Sequence, residues 1–357
     1  MANSSIFDEW YANEEISSSA LFYLKNKKFE EKKVLYDEDL YKISIAISTY
    51  KRSNLLLRLV DSIISQTYDQ SKIEIVIVDD CSNDDTSVIV SKYIRDHSEY
   101  SITFLENEKN LGVGESKKKA YIKCTGDIII FADDDDYFID NSYFLSLNDM
   151  YKSHENCLMT VAGTIVNFEK ENTYELQKLN FCDPISNKEY LNGFVRNYTK
   201  PNSMFTMSLR ANKMISVSLE ELIYFNDTPL YLYGLLADGM VYPMNKAVGI
   251  YYVNGKNMTG NARLDYILGN LEAKDDIYRR AIKSDLISQP LKWYRYNIGM
   301  TASYYLKFNR DPKAEDKLVW TWLKEHYSLL YYYHYIFNVI VYRRKHSLPV
   351  KMKYIKL

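Results

Sequence analysis

Residues 126–137 read Gly-Asp-Ile-Ile-Ile-Phe-Ala-Asp-Asp-Asp-Asp-Tyr, so a short apolar run leads directly into four consecutive carboxylates. The apolar part is typical of a strand that is buried in a parallel sheet. Adjacent carboxylates repel one another and raise one another's pKa unless a cation offsets their charge. Mg2+ or Mn2+ suits this role, because these ions take one or two carboxylates and complete their shell with phosphates and water. The stretch therefore predicts a metal and phosphate site, with a solvated acidic turn as the alternative.

Strand and helix patterns alternate in the residues before this stretch. Apolar runs predict strands at residues 42–48, 73–78, 102–105 and 127–132. Helical periodicity and capping residues predict helices at residues 54–66, 85–95 and 115–123. This alternation is typical of an α/β fold with a mainly parallel sheet covered by helices on both faces.

Polar clusters follow three of these strands, and ligands of such sheets bind beyond the carboxyl ends of the strands. The clusters lie at residues 48–50, 79–84 and 133–136. Their coincidence favours a ligand site over a set of solvated turns.

The composition narrows the class of protein. The chain has 357 residues, of which 46% are hydrophobic and 26% charged, as in an ordinary globular protein. A net charge of -2 argues against a general nucleic-acid binder. The four cysteines show no CxxC spacing, and the N-terminus has neither a basic start nor an apolar core of a signal peptide. We therefore expect a cytoplasmic protein without a zinc module or disulfide scaffold.

Four motifs in register resemble family 2 of the glycosyltransferases, whose members have the GT-A fold. The motifs are Ser-Thr-Tyr at 48–50, Val-Asp-Asp-x-Ser-x-Asp at 78–84, Asn-Leu-Gly at 110–112 and Gly-Asp-x4-Ala-Asp-Asp-Asp-Asp at 126–136. Their order and spacing match over residues 43–260. The resemblance implies a Rossmann-like GT-A domain that binds a nucleotide-sugar donor and transfers the sugar with inversion.

The resemblance also implies a base pocket. Tyr50 is similar to the residue that stacks on the nucleotide base, and Asp80 to the one that hydrogen-bonds it. Ser48 and Thr49 are expected to line the same pocket, and Asp79 to belong to the nucleotide-sugar site.

The acidic run corresponds to the Asp-x-Asp region of the family. Lys117 lies where the family often has an Arg near the base or phosphates, and Asp133 and Asp134 are expected to approach the ribose. Asp135 is expected to ligate Mg2+ or Mn2+, in a register that four successive Asp residues leave ambiguous by one position.

A second acidic position lies at Asp227, in the sequence Asn-Asp-Thr-Pro. The family commonly has two acidic residues there, so the presence of Asn226 leaves the role of general base to Asp227 alone. A helix N-cap is the alternative role for Asp227, and the two roles are compatible. Acceptor contacts are expected after residue 150, with Asn202, Ser203 and Met204 as candidates.

The chain is thus predicted to consist of a polar, partly helical extension at 1–40, a GT-A domain at 41–262, and a helical, Tyr-rich region with a basic tail at 263–357. Ile16, Ala20, Leu21 and Leu24 form an apolar stripe for docking the extension. Residues 327–342 carry no formal charge if His334 is neutral. They predict either an interfacial segment at the inner membrane face, anchored by the tail, or a core helix or oligomer contact.

The predicted reaction moves one sugar, most simply from a UDP-sugar, to a hydroxyl of a glycan or lipid-linked acceptor in bacterial surface polysaccharide synthesis. No Gln-x-x-Arg-Trp stretch follows Asp227, and no apolar run of about 20 residues could form a channel helix, which argues against a polymerising synthase. Two alternatives are a non-catalytic scaffold with the same fold, favoured by Asn226, and a nucleotidyltransferase. The latter is expected to show a Gly-rich phosphate loop near the first strand, which the sequence lacks.

Overall fold

The computed structural model describes residues 2–30, 37–194, 196–253, 264–308 and 315–326. The chain divides into two compact units, Met1–Gly255 and Lys256–Leu357. The segment 327–342 and the basic tail, for which an interfacial role is predicted, lie outside the described residues.

The first unit begins with two helices and continues as alternating strands and helices. The elements up to the acidic run are α1 (Ala2–Ala12), α2 (Ser18–Asn26), β1 (Ile43–Thr49), α3 (Ser53–Ile64), β2 (Ile73–Asp79), α4 (Thr86–Asp96), β3 (Ser101–Glu106), α5 (Val113–Lys123) and β4 (Ile128–Asp133). The four strands and three helices predicted in this part are confirmed, with ends that differ by one or two residues.

The remaining elements of the first unit contain more antiparallel strands. They are β5 (Tyr137–Phe138), α6 (Tyr143–Ser153), β6 (Cys157–Phe168), β7 (Thr173–Gln177), β8 (Ile185–Ser186), α7 (Asn187–Gly193), β9 (Met207–Arg210), α8 (Ala211–Ser216), α9 (Asp227–Gly234) and β10 (Met240–Val253).

All ten strands form one sheet in the order β3-β2-β1-β4-β9-β6-β10-β5, with β7 beside β6 and β8 beside β10. The pairs of β1 with β2 and β4, of β2 with β3, and of β6 with β10 are parallel. The short strand β9 runs antiparallel between β4 and β6. The α/β fold with a mixed, mainly parallel sheet is therefore confirmed.

The sheet core is built from β-branched residues that suit a pleated surface. β1 and β2 are buried along their whole length. The apolar face of α3 packs on them through Leu56, Leu59, Val60 and Ile63, at the spacing of a helix with one buried stripe. Burial of each such side chain contributes roughly 1.5–3 kcal/mol.

The N-terminal helices pack on the sheet near its β5 edge. The hydroxyl of Ser17 accepts a hydrogen bond from the backbone N–H of Ala20, at 3.2 Å, and so caps α2. Ile16, Ala20 and Leu24 are buried in one cluster with Tyr137, Ile139, Ile165 and Ile250, and Leu21 packs against it. The apolar stripe thus docks the helices as predicted.

The second unit is helical where it is described. Its helices are α10 (Leu264–Lys283), α11 (Pro290–Phe308) and α12 (Glu315–His326). Their buried contacts join Ile267, Leu271, Ile298, Val319 and Leu323. Of the helices in the described ranges, none is both long enough and apolar enough to cross a membrane.

Candidate active site

The ends of β1, β2 and β4 bring the predicted site residues together. Thr49 lies opposite Asp79 on β2, and Ser48 lies opposite Asp133 on β4. The hydroxyl of Thr49 donates a hydrogen bond of 2.8 Å to Oδ2 of Asp134. We call this end of the sheet the carboxyl edge.

The two Asp residues after β2 organise the neighbouring loops. Backbone N–H groups of Leu111 and Gly112 each donate a 2.8 Å hydrogen bond to the Asp80 carboxylate, and the amide of Asn107 donates another of 3.0 Å. Gly112 has a φ of +90°, which favours glycine. Asp79 accepts from the backbone N–H of Ser82 at 2.9 Å and from its hydroxyl. These bonds fix the loops around the predicted base pocket.

The predicted pocket residues on β1 differ in exposure. Tyr50 is 42% exposed, so its ring is available to a planar ligand. The hydroxyl of Ser48 is buried and has no hydrogen-bond partner among the described residues. A buried hydroxyl without a partner costs free energy, which a ligand group could recover.

Two carboxylates of the acidic run share one cation that the sequence analysis did not identify. Nη1 of Arg52 lies 3.1 Å from Oδ1 of Asp134 and 2.9 Å from Oδ2 of Asp135. Both carboxylates are buried, and the Arg52 side chain is one third exposed. The position of Arg52 just after β1 was the available sequence signal, but the reach of its side chain is not evident from the sequence.

A second cation, Arg58 on α3, supports the backbone of the same run. Its Nη2 donates a hydrogen bond of 2.6 Å to the carbonyl oxygen of Asp135. The guanidinium lies 4.2 Å from the ring centroid of Tyr137 and 4.5 Å from that of Tyr252. These cation–π contacts hold the Asp135 carbonyl against the sheet.

Lys117 lies between the acidic run and the buried residue Met204. Its Nζ forms an ion pair with Oδ1 of Asp133 and lies 2.9 Å from the sulfur of Met204. Lys117 is buried, and although burial opposes its charge, the carboxylates of Asp133 and Asp227 raise its pKa. It therefore stays protonated beside the acidic run.

Asp136 is fully buried and joins three parts of the chain. The hydroxyl of Ser203 and the backbone N–H of Tyr252 donate hydrogen bonds to its carboxylate, the second at 3.1 Å. Ser203 and Met204 are themselves buried. Ser203 thus supports Asp136, and Met204 contacts Lys117, from within the core, and their contact with an acceptor stays a prediction.

Burial and mutual repulsion shape the electrostatics of the run. Burial raises the pKa of Asp134, and Arg52 partly opposes that shift. Burial, followed by the charges of Asp133 and Asp134, raises the pKa of Asp135 to about 7. The pKa of Asp136 is raised for the same reasons. Ionisation of all these carboxylates at once is therefore unfavourable in the absence of a further cation.

Asp227 is the first residue of α9, and Asn226 is the N-cap. The alternative role of Asp227 as the N-cap is therefore wrong. Within the described part of the chain, the Asp227 carboxylate has no hydrogen bond or ion pair with another residue, and it is partly exposed. Desolvation and the charge of Asp133 raise its pKa, whereas Lys117, Lys200 and its own backbone N–H lower it. A carboxylate that no other residue bonds and whose pKa is raised has the properties of a general base.

A divalent cation fits this edge. No group of three or more His, Cys, Asp or Glu side chains in the described ranges forms a metal cage. Mg2+ and Mn2+ do not require one, because one or two carboxylates and substrate phosphates suffice. Asp134 and Asp135 are buried and adjacent, and the raised pKa of each shows that a further positive charge would favour their ionised forms. The assignment of Asp135 as the metal ligand stays a prediction.

Comparison with known proteins shows that the chain is similar to glycosyltransferases. The model of the family described as Glycosyl transferase family 2 matches residues 44–217. A GalNAc(5)-diNAcBac-PP-undecaprenol beta-1,3-glucosyltransferase of Campylobacter jejuni is 27% identical over 76% of this chain and 85% of its own length. The poly(ribitol-phosphate) beta-N-acetylglucosaminyltransferase TarS of Staphylococcus aureus is 33% identical over 27% of this chain, a match that spans 16% of TarS.

Solved structures show the same fold. TarS residues 1–349 in complex with UDP-GlcNAc align with a TM-score of 0.57 and 16% identity, over 87% of this chain and 93% of that one. The mannosyltransferase PcManGT of Pyrobaculum calidifontis, in complex with GDP-Man and Mn2+, aligns with a TM-score of 0.51 and 13% identity, over 97% and 94%. At these identities the likeness establishes the GT-A fold alone.

Proposed function

We infer that this chain belongs to glycosyl transferase family 2. We propose that it transfers one sugar from a nucleotide-diphosphate donor to an acceptor hydroxyl. The acceptor is a glycan or a lipid-linked glycan, and the context is bacterial surface polysaccharide synthesis. The named activity of the Campylobacter jejuni relative, which aligns over most of both chains, supports this acceptor class.

The arrangement of Asp133, Lys117 and Asp227 supports this proposal most strongly. Lys117 pairs with Asp133, and its charge also acts on Asp227. The Asp227 carboxylate, which no other described residue bonds, thus lies within electrostatic range of the acidic run after β4. A transferase needs these two parts, a base for the acceptor and a donor site, on opposite sides of the reacting carbon.

Asp227 supplies the base. Its carboxylate accepts the proton of the acceptor hydroxyl while that oxygen forms a bond to C1 of the sugar. The bond between C1 and the diphosphate oxygen breaks, and the nucleoside diphosphate leaves with the electron pair. Attack from the face opposite the diphosphate inverts the configuration at C1. Proton transfer of this kind contributes on the order of 10^2 to 10^4 in rate.

The donor is held by the remaining residues of the carboxyl edge. Tyr50 stacks on the base, the free hydroxyl of Ser48 bonds to the nucleoside, and Asp80 fixes the loop over it. Asp133 and Asp134 approach the ribose, and Asp135 holds Mg2+ or Mn2+ with the diphosphate. When bound, the cation stabilises the charge that develops on the departing diphosphate, so no general acid is required.

Thermal unfolding of the purified chain tests this proposal. UDP, GDP, dTDP and CDP are added separately, with and without Mn2+. One nucleotide is expected to stabilise the protein in a Mn2+-dependent manner, by about 2.7 kcal/mol at a concentration of 100 times its Kd. Asp135→Ala is expected to abolish this stabilisation, and Asp183→Ala, at an exposed acid, to retain it.

Activity distinguishes an enzyme from a non-catalytic scaffold. A scaffold that kept the nucleotide site would bind the same nucleotide but release no sugar from the corresponding nucleotide-sugar. The absence of stabilisation by every nucleotide would contradict the donor site itself.

A further inference from the structure

Arg52 contacts the carboxylates to which the predicted cation would bind. A single nitrogen, Nη1, bonds to Asp134 and Asp135 at once, at 3.1 and 2.9 Å. Both of these carboxylates are more than nine-tenths buried, so they have little other access to a positive charge. The guanidinium thus offsets the charge of one oxygen from each of the two carboxylates.

The two carboxylates depend on Arg52 to different extents. Asp134 also accepts a hydrogen bond of 2.8 Å from the hydroxyl of Thr49, which holds its Oδ2 independently of Arg52. Besides its own backbone N–H, the side chain of Asp135 has no described partner other than Arg52. Departure of Arg52 would therefore leave Asp134 in place and free the carboxylate of Asp135.

Arg52 has room to leave, because one third of its side chain is exposed and its two described side-chain bonds are those to the carboxylates. A guanidinium also binds phosphate oxygens in a bidentate manner. A diphosphate that arrived with a cation would offer Arg52 new partners at the moment when the cation takes the old ones.

We propose that Arg52 holds the place of the divalent cation in the nucleotide-free protein, so that the cation binds strongly only together with a nucleoside diphosphate. This inference rests on the proposed function, because it assumes the donor and cation site at Asp134 and Asp135. It adds an order to the binding of the two ligands. The cation alone competes with Arg52, whereas the cation with a diphosphate displaces Arg52 onto the phosphates.

Binding of Mn2+ to the full chain tests this order. Free Mn2+ is measured by its electron paramagnetic resonance signal, without nucleotide and then with the diphosphate that stabilises the wild-type protein. Arg52→Gln is expected to bind Mn2+ alone about tenfold more tightly, since the competing cation is gone. The same variant is expected to lose most of the increase in Mn2+ affinity that the diphosphate causes.

Arg95→Gln is the matched control. It makes the same chemical change at an exposed residue in the last turn of α4. Because α4 starts after the carboxyl end of β2, its last turn lies toward the opposite end of the sheet. Its Mn2+ affinity is expected to equal that of the wild type, with and without nucleotide.

Equal Mn2+ affinity of Arg52→Gln and the wild type without nucleotide would overturn the proposal. Should Arg52→Gln fail to fold, Arg52→Lys decides, because an ammonium cannot reproduce the planar guanidinium. Arg52→Lys is expected to bind Mn2+ alone several times more tightly than the wild type, and an unchanged affinity would again overturn the proposal. The proposed function fails separately, if the wild type shows no nucleotide-dependent Mn2+ binding at all.

Discussion

The pKa values of buried carboxylates are shifted in opposite directions at the two ends of the parallel sheet. At the end where β1, β2 and β4 begin, Glu74 accepts hydrogen bonds from Lys42 Nζ, Ser44 Oγ, Thr125 Oγ1 and Thr125 N, at 2.5–2.7 Å. Burial opposes the charge of Glu74, but these donors outweigh it and lower its pKa to about 2. At the carboxyl edge, burial and repulsion raise the pKa of Asp135 to about 7.

This difference separates a carboxylate that stabilises the fold from one that we propose binds a cation. Glu74 has a donor for each lone-pair direction, so its charge is favourable in the folded protein. Asp135 has one described side-chain partner and two charged neighbours, so its charge is unfavourable in the ligand-free protein. Sites of this kind commonly reduce stability for the sake of function.

The largest effect that would test the comparison is on catalysis. Asp227→Asn keeps the shape of the side chain but removes the base, and is expected to lower kcat by about 10^2 to 10^4. Stabilisation by nucleotide and Mn2+ should persist, since Asp227 does not hold the donor. Sugar transfer and thermal unfolding measure the two effects. Asp238→Asn, at an exposed acid after α9, is the control. Full activity of Asp227→Asn would exclude Asp227 as the base.

The next effect is on stability at the opposite end of the sheet. Glu74→Gln is expected to lower the free energy of unfolding at pH 7 by about 1–3 kcal/mol, because a charged hydrogen-bonded group is lost. The folded pKa lies below the usual 4.5, so Glu74 stabilises the protein above pH 4.5 and ceases to do so as the pH falls towards 2. Urea unfolding at several pH values should show the two proteins converging between about pH 4.5 and 2. A pH-independent difference would contradict this account.

A smaller effect of opposite sign is expected at the carboxyl edge. Asp135→Asn removes a charge whose folded pKa, about 7, exceeds its usual 3.8. In the ligand-free wild type this group therefore becomes less unfavourable as the pH falls from about 7 to 3.8. The variant is expected to be more stable at pH 8, by about 1–2 kcal/mol. Urea unfolding measures this difference in the free energy of unfolding, with Asp183→Asn as the control. Destabilisation by Asp135→Asn would contradict the contrast between Glu74 and Asp135.

The smallest effect is expected at the exposed ring of the same edge. Tyr50→Ala should weaken nucleotide binding by about 1 kcal/mol, the lower end of the range for stacking of an aromatic ring on a base. Isothermal titration of the nucleotide measures it. Tyr11→Ala, at a tyrosine of similar exposure on α1, is the matched control. Equal nucleotide affinities of the two variants would show that Tyr50 does not contribute to the base pocket.

The fold was largely predictable where the chain alternates regularly. β1, β2 and β4 are continuous apolar runs, and α3 has a clear apolar stripe, so local sequence decides their structure. β9 was not predictable in this way. It has four residues, Met-Ser-Leu-Arg, and its place between β4 and β6 depends on pairing with residues far along the chain.

The candidate site was also predictable only in part. The residues at strand ends, such as Thr49 and Asp134, could be predicted to converge because parallel strands end at one edge. The cations Arg52 and Arg58 were not identified, because the direction of a long side chain depends on tertiary packing. The role of Asp136 depends on partners at Ser203 and Tyr252 that no local pattern indicates.

The bonds of Asp136 also set the time at which the site can form during synthesis. Asp136 precedes Ser203 by 67 residues and Tyr252 by 116. A ribosome that adds about 5–20 residues per second therefore makes the acidic run about 6–23 seconds before its last partner. Ser203 and then α9 are added within that interval, and Tyr252 is added only at its end. The proposed donor site is thus among the last parts of this unit to mature, and we expect that a nascent chain cannot use a donor before β10 is complete.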